Sequence, residues 1–282
     1  DFIGGIVAKA LGVKKIIWGI RTTDPAAGNS NSTLYIQRLC AKLSYTVPTV
    51  IVCAAHVSRD SHIKVGYDEK KMQVIPNGYE LSLLTASQQD RAVLRQEIGL
   101  SDDDVVIGSM GRFNEAKNPL LFVKLAAELV KIYPSLKFMM VGRDNTWDNV
   151  ELTQWLSRYH LTDNFRLLGQ RTDVAACLKA MDVFCLHSRT EGFPNVLAEA
   201  LTVGVPAVSF DVGDAKYILG ELGDVIPQGD LTAMVRSISH IIATILLDTE
   251  ALAHWSAKAT ARMSQHYDIK NVYNQYRSIW VG

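Results

Sequence analysis

Residues 191–200 read Glu191-Gly192-Phe193-Pro194-Asn195-Val196-Leu197-Ala198-Glu199-Ala200. They follow a short run, Asp182 to Leu186, with the character of a buried parallel strand. Pro194 suits the first helical position, where its missing N–H would be unpaired anyway. The spacing predicts a helix from Pro194 to about Val203, stopped by Gly204 ahead of Pro206. Glu191 then lies in a loop at the carboxyl end of a strand. The backbone N–H groups of Asn195, Val196 and Leu197 crown a helix N-terminus, a natural seat for a diphosphate. Glu199 falls about a turn and a half further in. Two carboxylates beside a phosphate pocket suit a hydroxyl-rich ligand, because ionised carboxylates accept O–H hydrogen bonds strongly. The plainer alternative stands beside this: a Glu in the second turn of a helix is common, and Glu191 reads equally as a solvated loop residue.

Outward from this stretch, the chain has 282 residues, the size of two α/β domains. It is 48% hydrophobic and 21% charged, which fits folded domains with real cores. Lys+Arg and Asp+Glu balance at 29 each, so no basic field points to a nucleic-acid partner. Cys40, Cys53, Cys177 and Cys185 form neither a CxxC pair nor a metal-ligand spacing. They read as small core residues in a reducing, cytoplasmic setting. Ile241 to Leu247 is too short an apolar run to span a membrane, and the start at Asp1 has no signal-peptide pattern. Lacking an initiator Met, the chain reads as beginning inside a longer protein. Trp255 and Trp280, with Lys and Arg nearby, allow peripheral membrane contact, although core or interdomain packing is the commoner use of a Trp.

Upstream, strands are predicted at Lys14–Arg21, Thr49–Cys53 and Met72–Ile75, with helices before and between them and a loop over Thr22–Ser32. Pro76-Asn77-Gly78 is a strong turn. Three strands are fewer than a doubly wound domain usually has, so residues 1–80 read as the second half of such a domain. Residues 81–90 read as a connector and Arg91–Ile98 as a helix. Beyond Gly99 strands and helices alternate regularly through Asp224–Ile226, followed by helices over Leu231–Leu247, Glu250–Met263 and Asn271–Ile279. The expected architecture is α/β, a Rossmann-like parallel sheet with helices on both faces over 81–265, plus an incomplete second Rossmann-like half.

Ligands of such sheets sit at the carboxyl ends of strands. Five strand ends carry Gly with polar neighbours: Gly111-Arg112 leading to Lys117, Gly142-Arg143, Gly169-Gln170-Arg171, Glu191-Gly192, and Asp211-Val212-Gly213-Asp214. Arg112 and Lys117 bracket one loop, and two cations at a strand end suit a diphosphate, although exposure is the ordinary fate of such residues. Arg143 reaches a phosphate or caps its loop, with nothing to separate the two. Gly169-Gln170 reads a base edge or simply turns the chain. Neither a Walker A loop nor GxGxxG is present. His187, just upstream, reads as a structural His rather than a base.

Ile75-Pro76-Asn77-Gly78, Gly111-Arg112…Lys117, Val141-Gly142, Leu168-Gly169, and Glu191-Gly192-Phe193-Pro194…Glu199 with Gly213 beyond occur in the order seen in one family. The chain resembles the family-four (group 1) retaining glycosyltransferases of the GT-B fold from about Val50 onward. The resemblance implies a donor domain, residues 81–265, facing an acceptor domain across a cleft, with 266–282 a helix returning toward the latter. It implies that Arg112 and Lys117 neutralise the departing diphosphate, with Gly111 beneath it. Gly192 belongs to the same motif, and the backbone from Phe193 through Pro194, Asn195 and Val196 to Leu197 holds the phosphates. Glu191 would contact hydroxyls of the transferred sugar, Glu199 the ribose, and Gly169 and Gln170 the base. No metal and no cofactor are implied: the donor is a UDP- or GDP-linked sugar, and the acceptor is a saccharide or lipid-linked molecule. The sequence departs from the family at Arg21, where a His is frequent. Two other readings are a nucleotide-sugar-binding module without catalysis and a sugar-nucleotide epimerase of related fold.

Overall fold

The computed structural model describes residues 2–23 and 31–281. The chain divides into two compact units, Asp1–Gly78 with Glu191–Phe193 and Ile269–Gly282, and Tyr79–Thr190 with Pro194–Asp268.

In the first unit, strands β1 (Ile17–Ile20), β2 (Val50–Cys53) and β3 (Met72–Val74) form a parallel sheet in the order β1-β2-β3. The helices are α1 (Phe2–Ala10), α2 (Asn31–Ser44) and α3 (His56–Val65), the last closed by Gly66 at φ 104°. Alternation along β2 sends Ile51 and Cys53 into a cluster with Ile16, Trp18 and Tyr67. Val52 points the other way and packs with Ile75, Val272 and Ile279. The first strand is shorter than Lys14–Arg21, because only Ile17–Ile20 has a partner in β2. Most of the loop expected over Thr22–Ser32 lies outside the described residues.

The second unit holds α4 (Gln88–Glu97), β4 (Val106–Met110), α5 (Pro119–Ile132), β5 (Lys137–Val141), α6 (Val150–Arg158), β6 (Phe165–Gly169), α7 (Val174–Lys179), β7 (Val183–Leu186), α8 (Asn195–Thr202), β8 (Ala207–Phe210), α9 (Ala215–Leu219), β9 (Val225–Ile226), α10 (Leu231–Ile241) and α11 (Thr249–Tyr267). The last helix of the chain, α12 (Ile269–Val281), belongs to the first unit. All six strands run parallel in the order β6-β5-β4-β7-β8-β9. This is the doubly wound order, and its reversal falls between β4 and β7. Phe122, Phe138 and Phe165 stack and meet edge-on under α5, with centroids 5.2–6.0 Å apart.

Local chemistry explains where boundaries differ from expectation. Helix α4 starts before Arg91 because Ser87 and Asp90 form a capping box. Pro194 caps α8 from outside instead of occupying its first turn, and the helix ends at Thr202. Helix α9 escaped the sequence reading because it has only five residues. The helix expected over Leu231–Leu247 passes into a single π-helical turn at Ile242–Leu246. All four cysteines are buried free thiols. Among the described residues no single helix is long and apolar enough to cross a membrane. Trp255 is committed to packing, its indole N–H donating to Leu222 O at 2.7 Å, whereas Trp280 is exposed beside Tyr276.

Candidate functional site

Three strand ends are sewn together above the sheet of the second unit. Gly111 N donates to Val141 O (2.8 Å) and Phe113 N to Arg143 O (2.9 Å), joining the loops after β4 and β5. Gly142 N donates to Gly169 O (2.7 Å) and Gly169 N to Asn145 O (2.9 Å), joining those after β5 and β6. Gly142 must be glycine here: its φ is 128°, and a Cβ would run into the Gly111 carbonyl. The loops are thus rigid by backbone bonding, whatever their side chains do.

A cleft opens at the β4/β7 reversal, lined by Gly111, Arg112, Lys117, Asn145, His187 and Ser188 among others. Lys117 closes the short helical turn Glu115–Lys117, whose start is capped by the Asn114 side chain accepting from Lys117 N at 3.0 Å. Its aliphatic stem lies over Gly111, where a Cβ would meet Lys117 Cγ and Cδ at 3.3 Å. Arg112 is exposed on the same loop. Two residues that sequence reasoning did not single out complete the wall. Asn145 is buried and donates from Nδ2 to Gly111 O at 2.7 Å, while its Oδ1 has no protein partner. Ser109 meets His187 Nε2 at 2.6 Å. A polar residue inside a strand, as Ser109 is, and an Asn in a loop already rich in Gly and Asp were the available signals.

His187 is buried and stacks on Phe122 at 4.9 Å between centroids and 20° between planes. Burial lowers its pKa from 6.5 to about 4, partly offset by the Asn118 and Lys117 backbone beside the ring. The imidazole is therefore neutral at pH 7 and holds the strand end, as a structural His does. Between pH 6.5 and 4 the unfolded chain binds a proton here that the folded chain refuses, so stability falls as the pH drops through that window. Glu199 acts in the opposite sense, since burial raises its pKa. Comparison of His187→Gln with the parent therefore isolates the His. The variant is expected to lose less stability than the parent between pH 6.5 and 4.5, read as urea midpoints. Equal pH slopes would remove this assignment.

The start of α8 stands at the carboxyl end of β7 with Asn195 exposed and Leu197 buried. Tyr79 donates its phenol O–H to Asn195 Oδ1 at 2.7 Å, which fixes the amide so that Nδ2 faces away from the ring. Tyr79 is itself tethered, its N–H donating to Tyr267 O at 2.8 Å. Burial, and next the Glu199 carboxylate, hold the Tyr79 phenol far above its usual range, so it stays a donor at every working pH. Glu199 is half-buried in the second turn of α8, close enough for its charge to act on that phenol. The sequence reading did not single out Tyr79; only the fold brings it to a residue 116 positions away.

The structure therefore gathers Gly111, Arg112 and Lys117 in one cleft. It joins Gly169 to the same loops and places Pro194–Leu197 and Glu199 on the neighbouring helix. Arg143 and Gln170 are exposed at the ends of β5 and β6. Glu191, Gly192 and Phe193 pack with the first unit, where Gly192 comes so near Thr23 that a Cβ would stand 2.6 Å from its hydroxyl. In that unit Arg21 donates to Asn77 Oδ1 at 3.3 Å.

This arrangement has known counterparts. A galactosyltransferase of Escherichia coli, UDP-Gal:alpha-D-GlcNAc-diphosphoundecaprenol alpha-1,3-galactosyltransferase, is 25% identical over 244 residues. The alignment covers 85% of this chain and 63% of that protein, so the chain spans less than two thirds of the relative's length. The lipopolysaccharide core biosynthesis mannosyltransferase LpsB of Rhizobium meliloti is 29% identical over 188 residues, covering 64% of this chain and 52% of LpsB. The crystal structure of Anabaena Alr3699/HepE in complex with UDP superposes with a TM-score of 0.83 at 22% identity, covering 99% of this chain and 75% of that one. The family model for glycosyl transferases group 1 matches residues 90–262, which include every strand of the six-stranded sheet and the β4/β7 cleft. With more than half of its length matched, the chain belongs to the group 1 glycosyl transferases.

Proposed function

We propose that this chain carries the donor-binding part of a glycosyltransferase that moves a sugar from a nucleoside diphosphate to a saccharide or lipid-linked acceptor, in the synthesis of a surface polysaccharide, lipopolysaccharide or glycolipid. The observation that carries this reading is the β4/β7 cleft. Arg112 and Lys117 on a rigid loop, with the N-terminus of α8 on the neighbouring strand end, form a positively charged seat for a diphosphate. UDP is the first choice of carrier, since the Escherichia coli relative is named for UDP-Gal and the Anabaena neighbour was crystallised with UDP.

In this reading the configuration at the anomeric carbon is retained. The acceptor hydroxyl oxygen bonds to that carbon as its bond to the phosphate oxygen breaks, and the hydroxyl proton passes to the departing phosphate oxygen. Arg112 and Lys117 stabilise charge that exists only as the bond breaks, which is where a fixed cation contributes most. Glu199 accepts from ribose hydroxyls, Gly169 and Gln170 lie at the base, and Glu191 accepts from the transferred sugar. The two cations and the helix start take the place of a divalent metal as the charge clamp. The reading goes with a cytoplasmic setting and peripheral contact where a lipid-linked acceptor requires it.

Calorimetric titration with UDP, GDP and ADP in the presence of EDTA tests it. One diphosphate is expected to bind, and Arg112→Ala or Glu199→Ala to weaken it by about tenfold or more, the scale of one charge-assisted hydrogen bond. A folded sample that binds none of the three, or binds equally after both substitutions, refutes the donor site.

A further inference from the structure

The loop that carries Arg112 and Lys117 also borders a second groove of about 380 Å³, which shares Pro119 with the cleft. Its wall is aromatic. Phe113 and Trp155 are both half-buried, with ring centroids 5.5 Å apart and planes 31° from each other. Neither ring is loosely held. The Phe113 backbone is tied to Arg143 O, and Trp155 stands on α6 beside the fully buried Leu152 and Leu156. Glu151 lies one helical turn before Trp155 on the same face and is exposed. Asn114 and Glu115 border the groove from the loop, and Arg189 closes it through an ion pair with Glu115 at 2.6 Å.

The charge pattern is the reverse of that in the cleft. The one guanidinium on the rim is already engaged by Glu115, and Glu151 adds a carboxylate, so an anionic ligand is disfavoured. A pyranose has the complementary surface. Its C–H face matches an aromatic ring, and its hydroxyl edge finds acceptors in carboxylate and amide oxygens. The volume lies at the lower end of the range of small-molecule sites. We propose that the Phe113–Trp155 groove is a saccharide subsite, separate from the diphosphate cleft, that holds neutral sugar units of a glycan. The inference rests on the sugar-transfer reading for the class of ligand, and on the groove for its place.

The test titrates the full chain with maltotriose, cellotriose, mannotriose and N-acetylchitotriose, and separately with UDP. At least one trisaccharide is expected to bind with an affinity on the order of millimolar, and Trp155→Ala to weaken it by about tenfold. Trp155→Phe, which keeps a ring, is expected to retain most of the binding. Glu151→Gln, an exposed substitution without consequence for folding, is expected to weaken it by about threefold. UDP affinity is expected to be unchanged in all three variants, which also shows that they are folded. Trisaccharide binding that survives both Trp155→Ala and Glu151→Gln overturns the subsite, as does binding of none at about 20 mM, well above millimolar affinity. A chain that binds a trisaccharide through Trp155 but not UDP keeps the subsite and overturns the donor reading.

Discussion

Replacing Arg112 by Ala, or Lys117 by Met, is expected to lower sugar transfer by about two to three orders of magnitude, the usual loss when one preorganised group stabilising transition-state charge is removed. The argument is geometric before it is electrostatic. Gly142 lets the backbones after β4 and β5 approach closely, and Asn145 donates to the Gly111 carbonyl. The loop backbone is therefore held before any ligand arrives, and in the proposed reading its two cations start from a fixed base. Lys117→Met preserves the aliphatic stem that lies over Gly111 and deletes only the charge. Arg112 is exposed, so its loss is expected to change folding stability by no more than about 0.5 kcal/mol. The measurement is turnover of a UDP-sugar, as transfer or as hydrolysis, beside thermal unfolding of the same samples. Turnover within a factor of about three of the parent for both variants overturns the roles of these residues.

The largest effect on stability is expected at Asp182, at the opposite end of the same strands. Its carboxylate accepts from Arg91 Nη2, Arg95 Nη2 and Val106 N, each at 2.7 Å. Arg95 is only 1% exposed at its side chain and also donates to the carbonyls of Ala180, Ser101, Asp102 and Asp104. Burial works against its charge, and Asp182 is the first group that restores it. Asp182→Ala leaves a buried guanidinium without its ion-pair partner, a loss of about 3–5 kcal/mol. It also frees the entry of β4, since Val106 N is one of the three donors. The double variant Arg95→Met, Asp182→Ala is expected to recover much of that loss, because the uncompensated charge goes with the arginine. Denaturant unfolding of the four members of this cycle decides the matter. A single Asp182→Ala variant within about 1 kcal/mol of the parent would show that Arg95 finds other compensation.

These residues show what could be read before folding and what could not. The alternation of apolar strands with helices set the α/β class, because parallel strands buried on both faces must be continuously apolar and must be linked by crossovers. The Gly-rich strand ends, the cations of the β4 loop and the Glu191…Glu199 stretch were visible because turn chemistry and helix starts depend on neighbours within a few residues. Asp182, Arg95 and Asn145 were not legible. A charged or amide side chain looks the same in a sequence whether it is solvated or buried, and the pairs Arg95–Asp182 and Asn145–Gly111 are 87 and 34 residues apart. Tyr79, Phe113 and Trp155 were equally silent, because nothing within a few residues of each marks what it meets in the fold. Strand order is the reason. Local pattern determined which segments are strands, but the reversal between β4 and β7 depends on which sheet edge each crossover reaches, a choice made by packing across the whole domain. That choice brings Gly111, Lys117 and His187 to one cleft and sets α8 after the strand next to β4. The sequence by itself determined the elements and the residue types at their ends; only the tertiary structure decided which of those ends meet.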